Sequence, residues 1–249
     1  MKRILTSLAC LVWLMQSVFA NGHPSEWHQN KYSMFIHFGL YSVYGGVYEG
    51  KPVTRGYSEQ IQSFAGIFSD WYADTALQFN PTNFNTDEIV ALAKEAGMRS
   101  IVLTTKHHDG FCLWQTKYTE HSMKNSPYKN GKGDIVKECA EACKKHGIKF
   151  GFYLSPWDRN SALYGTDEYN DYYVNQLTEL LTNYGEIFHV WFDNACGEGP
   201  NGKIQEYDFA SYYQLIYELQ PNAVVAIMGD DIRWCGNESG LGRDTEWSV

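Results

Sequence analysis

Positive charge is in deficit in this 249-residue chain: 20 lysines and arginines stand against 29 aspartates and glutamates, a formal net charge of −9. Without Lys2 and Arg3, which belong to the leader described next, the balance is about −11. Nucleic acids and anionic membrane surfaces select basic patches, so neither is expected as a partner. A long apolar run is missing too. Ile4 to Val18 is largely apolar, but it falls short of the roughly 20 residues that span a bilayer. Preceded by Lys2 and Arg3 and followed by Val18-Phe19-Ala20, it has the make-up of a secretory signal peptide. Residues 1–20 are therefore expected to be removed, with no stable membrane insertion. The destination would be periplasmic or extracellular in a bacterium, lysosomal or extracellular in a eukaryote.

Cysteine is scarce. Beyond the leader there are five: Cys112, Cys139, Cys143, Cys196 and Cys235. An odd number makes a poor disulfide framework. Cys139 and Cys143 sit four apart on a predicted helix and read as small core-facing residues. A metal at that pair would need further ligands, and none stands nearby in sequence. The chain also has no His-x-His or His-Glu-x-x-His spacing, no internal repeat and no low-complexity tract. No metal and no cofactor is expected.

What the chain has is alternation. Strand-like runs at 32–38, 99–105, 148–154, 187–192 and 223–228 are interleaved with helical periodicity at 86–95, 134–146, 168–183 and 207–219. Strands alternating with helices predict a parallel sheet, hence an α/β chain. Residues 245–249 offer a sixth strand. A closed (β/α)8 barrel needs eight strands and about 250 residues, so residues 21–249 are expected to supply an incomplete barrel with five to six strands. Aromatic residues make up 16% of the chain. They suit both a large barrel core and a carbohydrate ligand, whose C–H faces pack on rings.

Three of the strands stop abruptly on polar side chains. Ser33 to Phe38 carries His37 near its end, Ile101 to Thr105 runs into Lys106-His107-His108-Asp109-Gly110, and Val190-Trp191-Phe192 ends on Asp193. In parallel barrels the residues beyond the strand C-termini line the active-site mouth. Side chains alternate along a strand, so His189, Trp191 and Asp193 share one face, while Phe188, Val190 and Phe192 form an apolar face for the outer helices. His107 and His108 point to opposite sides if the strand simply continues, and Gly110 allows a turn that reorients one of them. Alone, His37 would read as a satisfied core histidine, Asp193 as a turn cap, and the His-His-Asp cluster as a possible metal site. Glycoside hydrolysis requires a second carboxylate. Glu238, within Gly236-Asn237-Glu238-Ser239-Gly240, and Glu246, beside Trp247, are the candidates. Asn237-Glu238-Ser239 is also a glycosylation sequon.

Met34-Phe35-Ile36-His37-Phe38-Gly39, Lys106-His107-His108-Asp109-Gly110-Phe111 and Val190-Trp191-Phe192-Asp193 resemble, in this order, motifs of the family 29 glycoside hydrolases, the α-L-fucosidases. The resemblance runs from about Glu26 to the end. Gly151 to Arg159 and Gly236-Asn237-Glu238 look like the branch acting on α-1,3/1,4-linked fucose. The resemblance implies a retaining hydrolase with a catalytic (β/α) barrel followed by a β-sandwich, the latter absent from these residues. It assigns Asp193 as nucleophile and Glu238 as acid/base. His37, Glu59, His107, His108, Tyr153 and Trp191 are implied as fucose-binding positions, and fucosylated oligosaccharides or glycoconjugates as the partners. The alternative is an inactive truncated remnant, or a non-catalytic fucose-binding protein on the same fold.

Overall fold

The computed structural model describes residues 24–226, 231, 232 and 234. The leader, Glu238, Glu246, Cys235 and the proposed strand at 245–249 all lie outside them. After a short helix, Pro24–Gln29, come β1 (Ser33–Ile36), the small hairpin β2 (Val47–Tyr48) and β3 (Lys51–Pro52), then β4 (Ser100–Lys106), β5 (Lys149–Leu154), β6 (His189–Trp191) and β7 (Val224–Ala226). β1, β4, β5, β6 and β7 hydrogen-bond in that order into one sheet, and every neighbouring pair is parallel. The chain therefore has the α/β sheet of a (β/α) barrel, with five strands among the described residues. Helices Thr86–Glu95, Ile135–His146, Glu168–Asn183 and Phe209–Leu219 precede β4, β5, β6 and β7 respectively.

All four helices fall where the periodicity predicts, and their ends have physical causes. Asn85 caps the first by accepting from the backbone N–H groups of Asp87 and Glu88. Asp134 caps the second by accepting from Lys137 N–H at 2.8 Å, and Gly147, at φ 68°, closes it in the left-handed conformation. That helix buries Ile135, Val136, Cys139, Ala140, Ala142 and Cys143 on one stripe. Both cysteines are free thiols in the core.

β4 is buried at all seven positions, as expected of a strand covered on both faces. The β5–β6 seam is close. A Cβ on Gly151 would meet the His189 carbonyl oxygen at 2.6 Å, so the bare residue lets the two strands approach. Between β4 and β5 the register runs evenly from Ser100↔Lys149 to Thr104↔Tyr153, and then Lys106 pairs with Leu154. Thr105 is the extra residue of a bulge. Residues 37–85, which lack strong periodicity in sequence, form the hairpin and several short helical turns over the C-terminal end of the sheet.

Asp134 also accepts from the Tyr184 hydroxyl at 3.0 Å, tying the ends of two outer helices. Asp134→Ala should therefore destabilise the fold by about 1–2 kcal/mol. The measurement is a lower urea midpoint at unchanged denaturant slope.

Candidate active site

Beyond Trp191 the chain passes through Phe192 to Asp193. Phe192 is fully buried against Tyr173, Tyr212 and Tyr213 of the outer helices. Alternation then turns Asp193 to the inner side of the sheet. Its Oδ2 accepts the Tyr153 hydroxyl at 2.8 Å, and its Oδ1 accepts the Ala195 backbone N–H at 2.9 Å. One donor on each oxygen holds the carboxylate in a single orientation, and 21% of the side chain remains exposed. Burial, followed by the nearby Asp193 charge, pushes the Tyr153 phenol well above its ordinary pKa. Tyr153 therefore stays a donor.

His108 approaches the same carboxylate from the end of β4. Its Nδ1 is 2.7 Å from Ser155 Oγ, and Ser155 Oγ donates its own hydrogen to the Trp157 carbonyl at 2.8 Å. With that hydrogen committed, Ser155 accepts from Nδ1–H, which leaves Nε2 as a bare lone pair. Nε2 lies 3.7 Å from Asp193 Oδ2, beyond hydrogen-bond length. Burial lowers the imidazole pKa to about 4, against the upward pull of Asp193. Near neutral pH, two acceptors thus face a common space that selects a ligand O–H donor.

The bulge at Thr105 brings the second histidine to the same side. His107 stacks on Tyr153, with ring centroids 5.5 Å apart and planes 20° apart, and lies 4.1 Å from the His108 ring. The two histidines do not diverge as simple strand continuation would have them. Burial, then His108 and His37, press the His107 pKa well below the usual imidazole range. His37, just past β1, is 5.6 Å from His107, and burial lowers its pKa against the pull of Asp193. Trp191 completes one wall, 5.1 Å from Phe35 and 5.4 Å from Tyr153. Five of the expected residues, His37, His107, His108, Tyr153 and Trp191, therefore surround Asp193.

Glu59 lies on the helical turn Ser58–Gln60. Burial raises the pKa of the Tyr41 phenol, and the Asp109 and Glu59 charges add to that; the Tyr41 ring is 5.7 Å from His107. Glu59 belongs to the His107 side of the mouth. Ser155, Ala195 and Trp157, whose ring is 4.9 Å from His108, were not anticipated as site residues. The strand-end rule would have found Ser155, the first residue past β5; nothing in the pattern marks the Ala195 backbone N–H. Among the described residues no group of three or more histidine, cysteine, aspartate or glutamate side chains could hold a metal ion.

The buried histidines set an acid sensitivity. His108, His121 and His189 each have a pKa near 4 in the folded chain, lowered chiefly by burial, against about 6.5 when unfolded. Between those values the unfolded chain holds more protons, so stability rises with pH. His37 and His107, also lowered chiefly by burial, add to this. Asp109, raised to about 6 by burial, and Asp134, raised by burial, act in the opposite direction, two carboxyls against five histidines. The urea midpoint should fall as pH is lowered from 6.5 to 4; a flat or rising midpoint would contradict this balance.

The family described as alpha-L-fucosidase matches residues 13–242. Alpha-L-fucosidase 1 of Arabidopsis thaliana is 44% identical over 226 residues, which make up 90% of this chain and 40% of that protein. Tissue alpha-L-fucosidase of Mus musculus is 30% identical over 240 residues, covering 89% of this chain and 50% of its own length. Among solved structures, alpha-L-fucosidase AlfC from Lactobacillus casei, in complex with alpha-L-fucose product, superposes with a TM-score of 0.70. It is 32% identical, covering 84% of this chain and 72% of that chain. A glycoside hydrolase 29 family member from a rumen bacterium is 40% identical with a TM-score of 0.66, covering 82% of this chain and 35% of that chain. The chain thus spans about two fifths of the length of its plant relative. A family match over nearly all its residues, joined to overlap with most of a solved relative, establishes that this chain belongs to the α-L-fucosidases, glycoside hydrolase family 29.

Proposed function

We propose that this site removes terminal α-L-fucose from glycans by a retaining route, with Asp193 as nucleophile and Glu238 as acid/base. The observation that carries this reading is the Asp193 carboxylate, held on one oxygen by Tyr153 at 2.8 Å, on the other by Ala195 N–H at 2.9 Å, and ringed by neutral imidazoles. In the first step a carboxylate oxygen of Asp193 attacks the anomeric carbon while the bond to the aglycone oxygen breaks, and Glu238 gives that oxygen its proton. In the second, Glu238 takes a proton from water, the resulting hydroxide attacks the same carbon, and Asp193 leaves. Two displacements restore the anomeric configuration. Retention calls for the two carboxyl groups to approach within about 5–5.5 Å.

The remaining residues recognise the sugar. His37, His107 and His108 meet hydroxyl groups as neutral donors and acceptors, and Glu59 accepts from another at the rim. Trp191 and Phe35 give the C6 methyl an apolar wall, and Tyr153 orients the nucleophile. The residues of the Gly151–Arg159 run and around Glu238 favour α-1,3/1,4 linkages. With the residue 1–20 leader, the enzyme would act outside the cytosol, with no cofactor.

The test measures fucose release from a Lewis-type trisaccharide and from an aryl α-L-fucoside, by the protein and its Asp193→Ala variant. Release from the trisaccharide, reduced about 10³-fold or more by the substitution, is the expected outcome. The Lactobacillus casei relative was crystallised with Fucα(1,6)GlcNAc, so that disaccharide makes the linkage control. Release from it alone would overturn the linkage assignment. No release from any substrate by folded protein would leave a fucose-binding role.

A further inference from the structure

Lys106 is fully buried, yet its side chain does not face the pocket. The bulge at Thr105 sends it to the outer side of β4, where Nζ donates to Gln176 Oε1 at 2.9 Å and Asp158 Oδ2 at 3.3 Å. The rings of Tyr169, Tyr172 and Tyr173 stand 5.8, 5.5 and 5.3 Å from it. A cation in this place has lost its water, and charge-assisted bonds and ring faces offset that loss. Such a pair adds little stability over an apolar substitute of equal volume. Its value lies in what it holds in place.

Asp158 ties the pair to the site. Its Oδ1 accepts from Asn160 and Ser161 N–H at 2.9 and 2.8 Å. Between Asp158 and Asn160 in sequence, Arg159 gives its N–H to the His108 carbonyl at 2.9 Å. Lys106 in turn accepts Ser155 N–H on its own carbonyl at 3.0 Å, and Ser155 Oγ accepts from His108 Nδ1. A Cβ on Gly110 would lie 2.3 Å from Asp158 Oδ1, so the turn carrying both histidines passes directly over that carboxylate. The loops after β4 and β5 are clasped twice: by Lys106 and Asp158 behind the sheet, and by His108 and Ser155 in the pocket.

We propose that Lys106 and Asp158 are positioning residues, an ion pair behind the β4–β5 seam that holds His107 and His108 in the geometry that meets the ligand. The inference deepens the fucosidase reading and rests on it. Lys106→Met alone would leave Asp158 buried and unpaired, so the main test is the double variant Lys106→Met, Asp158→Asn in the whole protein. It removes both charges at nearly constant volume. Its kcat on an aryl α-L-fucoside should fall about 100-fold, with a smaller rise in KM. The nitrogen chemical shifts of His108 should move from an Nδ1–H tautomer toward a mixture. Asp158→Asn alone keeps an acceptor near Lys106 and should show the same changes to a smaller degree, which decides the matter if the double variant does not fold. Wild-type kcat and an unchanged His108 tautomer in either folded variant would overturn the proposal. Failure of the unaltered protein to release fucose would sink the fucosidase reading instead, and the tautomer measurement would still judge the clasp.

Discussion

Side chains on a strand alternate with no tolerance for slippage, and one unpaired residue in the β4–β5 ladder inverts everything after it. Up to Thr104, opposite Tyr153, the two strands keep step. Without the extra residue at Thr105, Lys106 would follow Thr104 inward and His107 would turn out toward the helices. With it, the cation goes to the outer tyrosine layer and the imidazole to the pocket. The same bulge therefore decides where the buried charge sits and which ring stacks on Tyr153. Both loops past the seam inherit that choice.

The pocket's chemistry follows from desolvation more than from charge pairing. Three imidazoles stand near one carboxylate, a setting that in water would favour imidazolium. Burial outweighs that pull at His37 and at His108, and the neighbouring rings add to it at His107. The result is a neutral surface, its tautomer fixed at His108 by Ser155, beside an anionic one. Such a surface suits a hydroxylated ligand, because its free valences call for hydrogen-bond donors.

Much of this was legible in the sequence. The alternation of strands and helices, and with it a parallel sheet, could be read because the helical stretches have clear caps and stripes, as at Asp134 and Cys139, and because the strands are apolar runs that stop on polar residues. The ends of β1, β4 and β6 announced His37, His107, His108 and Asp193. Three things were hidden. The bulge leaves no compositional trace, since Thr105 is as good a strand residue as Thr104. The Ala195 N–H is backbone and belongs to any sequence. The turns between residues 37 and 85 are set by tertiary anchoring, such as Tyr72 on Asp109 at 3.0 Å, instead of by periodicity.

The convergence of β1, β4, β5 and β6 on one carboxylate also bears on how the fold is reached. Each parallel pairing closes a long loop, beginning with Ser33 against Ser100, and such closures come late and slowly in folding. No intermediate that lacks one of these strands presents His37, His108, Tyr153 and Asp193 together. A small molecule bridging them binds only the finished arrangement and shifts the folding equilibrium by mass action. A ligand for the pocket is, by the same geometry, a chaperone for the chain.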